Sequence, residues 1–148
     1  MYSITKDGKP LDQGMYVIDP VAETFSSVES GLVLDFSGEF GWAFNTSSDC
    51  TFDTGSGCTF KTGPDCTFNT SSDCTFDTGY GCTFKTGSGC TFNTGFDCTF
   101  KTGFDCTFDV GEKCVCIRRD VFEVIQLPPG KRIRLNGHQV HGWVEVLE

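Results

Sequence analysis

Histidine is nearly missing from this chain: His138 and His141 are the only two in 148 residues. Chemistry that needs several imidazoles is thereby excluded. Basic residues are also scarce, 11 against 20 acids, and a net charge of −9 argues against direct binding to nucleic acid. No apolar run approaches the ~20 residues of a membrane-spanning helix. The first thirty residues lack the basic start, apolar stretch and small-residue cleavage site of a secretory signal. A cytoplasmic protein without membrane attachment is expected. H-E-x-x-H, the P-loop, G-x-S-x-G and the dinucleotide fingerprint are absent as well. His138 and His141 form H-x-x-H, but on a strand residues i and i+3 face opposite sides. No catalytic residue, cofactor or metal is expected, and no enzymatic activity.

Phenylalanine (15) and cysteine (10) are in excess, and both follow one period. Cys50 to Cys114 recur every eight residues, and Phe44 to Phe108 follow in the same register. One Thr column lies between them, and a second runs from Thr46 to Thr102. The unit is C-T-F-x-T-G-x-D or C-T-F-x-T-G-x-G, with Trp42 in the first Cys slot and Leu34-Asp35-Phe36 as a degenerate forerunner. Apolar residues at i and i+2, followed by a long gap, do not suit a 3.6-residue helix. On a strand, i, i+2 and i+4 share a face. Cys, Phe and the second Thr therefore point inward, while the first Thr and the x residue point outward. Each strand ends in Gly-x-Gly, Gly-x-Asp or Ser-Ser-Asp, bend sequences that tolerate positive φ. A strand this short buries nothing alone, so the units must stack. The chain is read as all-β, a parallel β-solenoid of eight-residue repeats.

The x residues read Asn45, Asp53, Lys61, then Asn69, Asp77, Lys85, and Ser47-Ser48-Asp49 recurs as Ser71-Ser72-Asp73. This longer period predicts a three-sided coil of 24 residues, although a two-unit coil would set Lys61 beside Asp77. The cysteines lack the close pairs of a zinc site. Parallel Cβ vectors on stacked rungs strain a disulfide torsion. A column of reduced, buried thiols in a reducing compartment is expected.

Three regions follow: a β-rich N-terminal cap (1–41), the repeat solenoid (42–113) and a C-terminal cap or oligomerisation module (114–148). The tail holds three strand-like pieces, with a turn near Asn136-Gly137. Its Lys131, Arg132 and Arg134 form a short basic stripe. Net charge runs −5, −5 and +1 across the regions. Tyr80, Phe96 and Phe104 fall in bends, where aromatics stay partly exposed and suit contact with a partner.

The repeats C-T-F-D-T-G, C-T-F-K-T-G and C-T-F-N-T-S, followed by C-I-R-R-D-V-F-E-V-I, resemble octapeptide-repeat proteins of tailed bacteriophages over residues 42 to about 137. The chain is more loosely similar to pentapeptide-repeat proteins, some of which are acidic rods that mimic DNA. The resemblance implies a phage-encoded protein that occludes a basic or nucleic-acid-binding surface of a host protein in the manner of an inhibitor. The alternative is a structural virion or tail component. Asp53, Asp65, Asp77, Asp97, Asp105 and Asp109, with Tyr80, Phe96 and Phe104, are the candidate contact residues.

Overall fold

The computed structural model describes residues 2–146. The strands, in chain order, are β1 (Ser3–Lys6), β2 (Lys9–Pro10), β3 (Val17–Asp19), β4 (Thr24–Ser26), β5 (Leu32–Phe36), β6 (Ala43–Asn45), β7 (Thr51–Thr54), β8 (Thr59–Lys61) and β9 (Thr67–Asn69). They continue with β10 (Thr75–Asp77), β11 (Thr83–Lys85), β12 (Thr91–Asn93), β13 (Thr99–Thr102), β14 (Thr107–Asp109), β15 (Cys114–Arg118), β16 (Glu123–Leu127), β17 (Arg132–Leu135) and β18 (Trp143–Glu145). A short 3-10 turn at Gln13–Met15 is the one helical element among the described residues.

Successive strands alternate between two sheets. The first runs β16-β15-β13-β11-β9-β7-β5-β1-β2, and the second β18-β17-β14-β12-β10-β8-β6-β4-β3. Within the repeats, Thr51 pairs with Thr67, Phe76 with Phe92, and Phe84 with Phe100, all in parallel register. The structure is thus a parallel β-solenoid whose coil holds two units, sixteen residues, and has two faces.

That corrects the expected three-sided coil of 24 residues. Opposed phenylalanine rings set this coil size, and the outward residues suit it. An Asn-Asp-Lys order read at every second unit becomes Asn45, Lys61, Asp77, Asn93 down the second sheet. A period of three wound two to a coil therefore keeps like charges apart, which is worth ~0.2–1 kcal/mol per cross-strand pair. On the first sheet the order holds from Asp53 through Asn69 to Lys85, and like charges meet on either side of that run, Asp35 with Asp53 and Lys85 with Lys101.

The core follows from facing the two sheets. Each sheet contributes a column of phenylalanines whose rings stack at 4.8–5.1 Å with interplanar angles of 3–12°. Rings from opposite sheets meet edge to face at 4.8–5.5 Å. These are the offset and T-shaped geometries that the aromatic quadrupole favours. Opposed benzyl groups in contact leave no lumen between the two sheets. Cysteine and the second threonine flank each phenylalanine from Phe52 to Phe100, and the hydroxyls of Thr54 to Thr102 donate to the next carbonyl, as Thr102 Oγ1 does to Gly103 O at 3.0 Å.

Corners depend on left-handed residues. Asp49, Asp65, Asp73, Asp97 and Asp105 have φ of 58–62°, and Gly57, Gly81 and Gly89 take φ of 69–72° at equivalent positions. Asp and Gly are the residues that adopt this region at low cost.

Both ends of each stack reverse direction. β1 pairs antiparallel to β5, and β3 antiparallel to β4. At the other end β16 pairs antiparallel to β15, and β17 antiparallel to β14. Edge strand β2 is two residues long and ends in Pro10, which has no N–H to offer a further strand. Arg118 takes the inward Thr position in the last coil, opposite Thr102, and is fully buried. Its Nε donates to Asp120 Oδ1 at 3.0 Å and its Nη2 to Gly137 O at 3.1 Å, tying the last coil to the C-terminal loop.

Candidate functional site

Two columns of bends run the length of the rod. The first corner joins strands of the second sheet to the next strand of the first. It stacks Ser48-Asp49, Pro64-Asp65, Tyr80-Gly81, Phe96-Asp97 and Glu112-Lys113. Backbone hydrogen bonds set this register: Asp49 N–H donates to Pro64 O, Asp65 to Tyr80 O, Gly81 to Phe96 O, and Asp97 to Glu112 O, at 2.9–3.1 Å. In four of the five bends a glycine (Gly63, Gly79, Gly95 or Gly111) precedes the corner pair and permits close stacking. A Cβ on Gly79 would lie 2.8 Å from Pro64 N, and one on Gly111 2.9 Å from Phe96 N.

On this corner the rings of Tyr80 and Phe96 stack at 4.9 Å with an interplanar angle of 4°. They remain 46% and 50% exposed, a hydrophobic pair held rigidly outside the core. Asp49, Asp65, Asp97 and Glu112, all exposed, surround the pair, and Lys113 is the one cation in this column. Rungs ~4.8 Å apart space these groups along a straight line.

Of the residues singled out in the sequence, the structure brings Asp65, Tyr80, Phe96 and Asp97 together here. The others lie elsewhere. Asp53 faces outward on the first sheet between Asp35 and Asn69. Asp77 faces outward on the second sheet, opposite Lys61 and Asn93. Asp109 is on that same face, opposite Asn93 and, across the C-terminal cap, Arg132 of the basic stripe. Phe104 and Asp105 belong to the second corner, where Phe104 is half-buried and meets His138 edge to face at 5.0 Å. Asp49, Pro64 and Glu112 join the first corner without having been singled out. The signal that finds them is sixteen-residue spacing from Asp65 or Phe96, which becomes visible only once the coil length is known.

The cysteines lie in the interior. All ten are free and buried. Cys50, Cys66, Cys82, Cys98 and Cys114 form a ladder under the first corner, and Cys58, Cys74, Cys90 and Cys106 a second under the other. Their Sγ atoms also lie against bend carbonyls, as Cys114 does against Gly95 O at 3.4 Å. Cys116 stands in the phenylalanine column, opposite Phe100, with Sγ 3.3 Å from Thr102 Oγ1. Burial pushes its thiol up to about 11. Among the described residues no group of three or more His, Cys, Asp or Glu converges as a metal centre, and no helix is long and apolar enough to cross a membrane.

At the first corner the carboxylates lie in a row, one coil after another, rather than converging on one point. A shallow groove of about 400 Å³ at the N-terminal cap is lined by residues such as Met15, Tyr16, Val17, Ser27 and Val28. No protein-family model, no curated protein and no solved structure matches this chain.

Proposed function

We propose that the protein is a non-enzymatic binding protein whose first corner docks on a basic surface of another protein. The partner surface is of the kind that otherwise holds nucleic acid. The observation that carries this reading is the stacked Tyr80–Phe96 pair in a column of four carboxylates, Asp49, Asp65, Asp97 and Glu112. Rigid aromatics supply contact area at little entropic cost and pair well with arginine through cation–π contacts. Carboxylates repeated on a stiff rod give a linear array of negative charge, the feature that a phosphate backbone presents to its proteins. The resemblance to phage octapeptide-repeat proteins favours a host protein as that partner, with occlusion and inhibition as the outcome.

Affinity capture from host lysate with mass spectrometry tests the reading. Bound partner should fall steeply as salt rises. Combined Asp65→Lys, Asp97→Lys and Tyr80→Ala substitutions should abolish capture, whereas Asp53→Lys on the flat face should leave it within about twofold. Capture that survives the triple substitution contradicts the proposal.

A further inference from the structure

The two internal thiol ladders have a spacing that their packing role does not require. Strands pair in register at sixteen residues, so equivalent Sγ atoms on successive coils are one rung apart, ~4.8 Å. The phenylalanine rings beside them repeat at 4.8–5.1 Å. In-register pairing of Thr51 with Thr67 and of Thr67 with Thr83 sets Cys66 one rung from both Cys50 and Cys82, so the thiols form a continuous column rather than isolated groups. A metal–thiolate bond is ~2.3 Å, so a linear S–M–S unit spans ~4.6 Å. Strand side chains stand roughly perpendicular to their sheet, and the thiols are buried, so each cysteine projects across the column axis and an ion between two rungs would have one sulfur on either side.

The geometry points to a binding site for soft, two-coordinate d¹⁰ metal ions, each bridging cysteines sixteen residues apart. Soft ions select thiolates. Zinc requires four ligands in a tetrahedron, which a straight column does not supply. Charge narrows the class further. The walls are phenylalanine, threonine and bend carbonyls, and the buried Arg118 beyond the last rung is already paired with Asp120, so a net negative site would stay unbalanced, and an unpaired buried charge is costly. Mercuric ion leaves none: two thiols release two protons to solvent, two S–Hg bonds form, and the product (RS)₂Hg is neutral. No electron is transferred.

Pairing along a ladder has a parity that a mere count of thiols does not. The four-thiol ladder accepts two ions. The five-thiol ladder also accepts two and leaves one thiol over, so an intact chain takes up four. Removing Cys50 or Cys82 leaves two adjacent pairs in the longer ladder. Removing Cys66 or Cys98 leaves only one.

The test is native mass spectrometry of the reduced chain, titrated anaerobically with Hg(II) in the presence of excess small monothiol. The β-sheet circular dichroism is followed in parallel. Four ions should bind, each adding one mercury and removing two protons, with the sheet signal retained. Cys50→Ala and Cys82→Ala should still bind four, whereas Cys66→Ala and Cys98→Ala should bind three. The two variants of each class duplicate one another, so one misfolded variant leaves the comparison intact. Zn(II) should not bind. Equal loading of all four variants, uptake only as the sheet signal disappears, zinc uptake at the same sites, or disulfide formation in place of metal would each overturn the proposal.

Discussion

The carboxylate of Asp65 lies over the α-carbon of Gly81 on the next coil, so that a Cβ at residue 81 would stand 2.4 Å from Asp65 Oδ1. Gly81 also has φ of +69°. Gly89 stands in the same relation to Asp73, at 2.5 Å. At these two steps glycine follows aspartate for a reason beyond φ: where an Asp folds its side chain over the next rung, that rung cannot carry a Cβ.

Gly81→Ala should therefore destabilise the protein by more than the ~1–2 kcal/mol that left-handed backbone alone costs an alanine. Replacing Asp65 by glycine in the same chain should recover part of the loss, giving a non-zero interaction energy in a double-mutant cycle. Urea denaturation of the four proteins measures it. Strict additivity would show that the contact carries no energy.

Core and corner aromatics should differ sharply. Phe76 stacks on Phe60 at 4.8 Å and Phe92 at 4.9 Å and meets Phe68 and Phe84 edge to face. Phe76→Ala should cost about 3–5 kcal/mol, the range for a buried phenylalanine. Tyr80→Ala loses one exposed stacking contact, at most ~1.5 kcal/mol. Equal losses in denaturant titrations would contradict the assignment of Tyr80 and Phe96 to a contact surface.

The Arg118–Asp120 pair predicts an acid-sensitive C-terminal cap. Desolvation raises the Asp120 pKa, but hydrogen bonds from Arg118 and from Gln139 N–H outweigh it and hold the carboxyl below 3.8. A depressed folded-state pKa means that the stabilisation is fully present above 3.8 and is lost as pH falls through the folded value. Asp120→Asn strands a buried guanidinium, so it should cost about 3–5 kcal/mol at neutral pH. The gap between wild type and variant should narrow in melting curves taken below pH 3.8. A gap that stays constant to lower pH would remove the ion pair from the account.

Coil length predicts which deletions survive. Removing residues 67–82, one whole coil, joins Cys66 to Thr83 with every inward position preserved. That protein should remain soluble and melt cooperatively. Removing residues 67–70 sets a bend where a strand must pair and should abolish cooperative melting. Comparable melting of both would count against stacked coils.

Inward and outward positions were readable in the sequence because the strand period acts locally: Cys58, Phe60 and Thr62 share a face whatever the coil does. The left-handed corners were readable too, since Asp and Gly carry their own conformational preference. Coil number was not, because one strand and one bend are compatible with two or three sides. The repeating order of Asn45, Asp53 and Lys61 records unit identity, whereas coil size is set by opposed Phe rings, a contact between residues eight apart that periodicity cannot reveal. The candidate surface suffered for the same reason. Asp65, Tyr80 and Phe96 share a corner with Asp97 only when sixteen residues make a turn, while Asp53, Asp77 and Phe104 then fall on other faces.

The two-unit coil is tested most directly by NMR scalar couplings through backbone hydrogen bonds. Thr75 N–H donates to Cys58 O at 2.9 Å, and Thr83 N–H to Cys66 O at 3.0 Å. Couplings should therefore join the amide of the first Thr of each unit, from Thr59 to Thr107, to the carbonyl seventeen residues earlier. A coupling from Thr75 to Cys50 instead, the partner that a three-unit coil would supply, would contradict the structure and every surface derived from it.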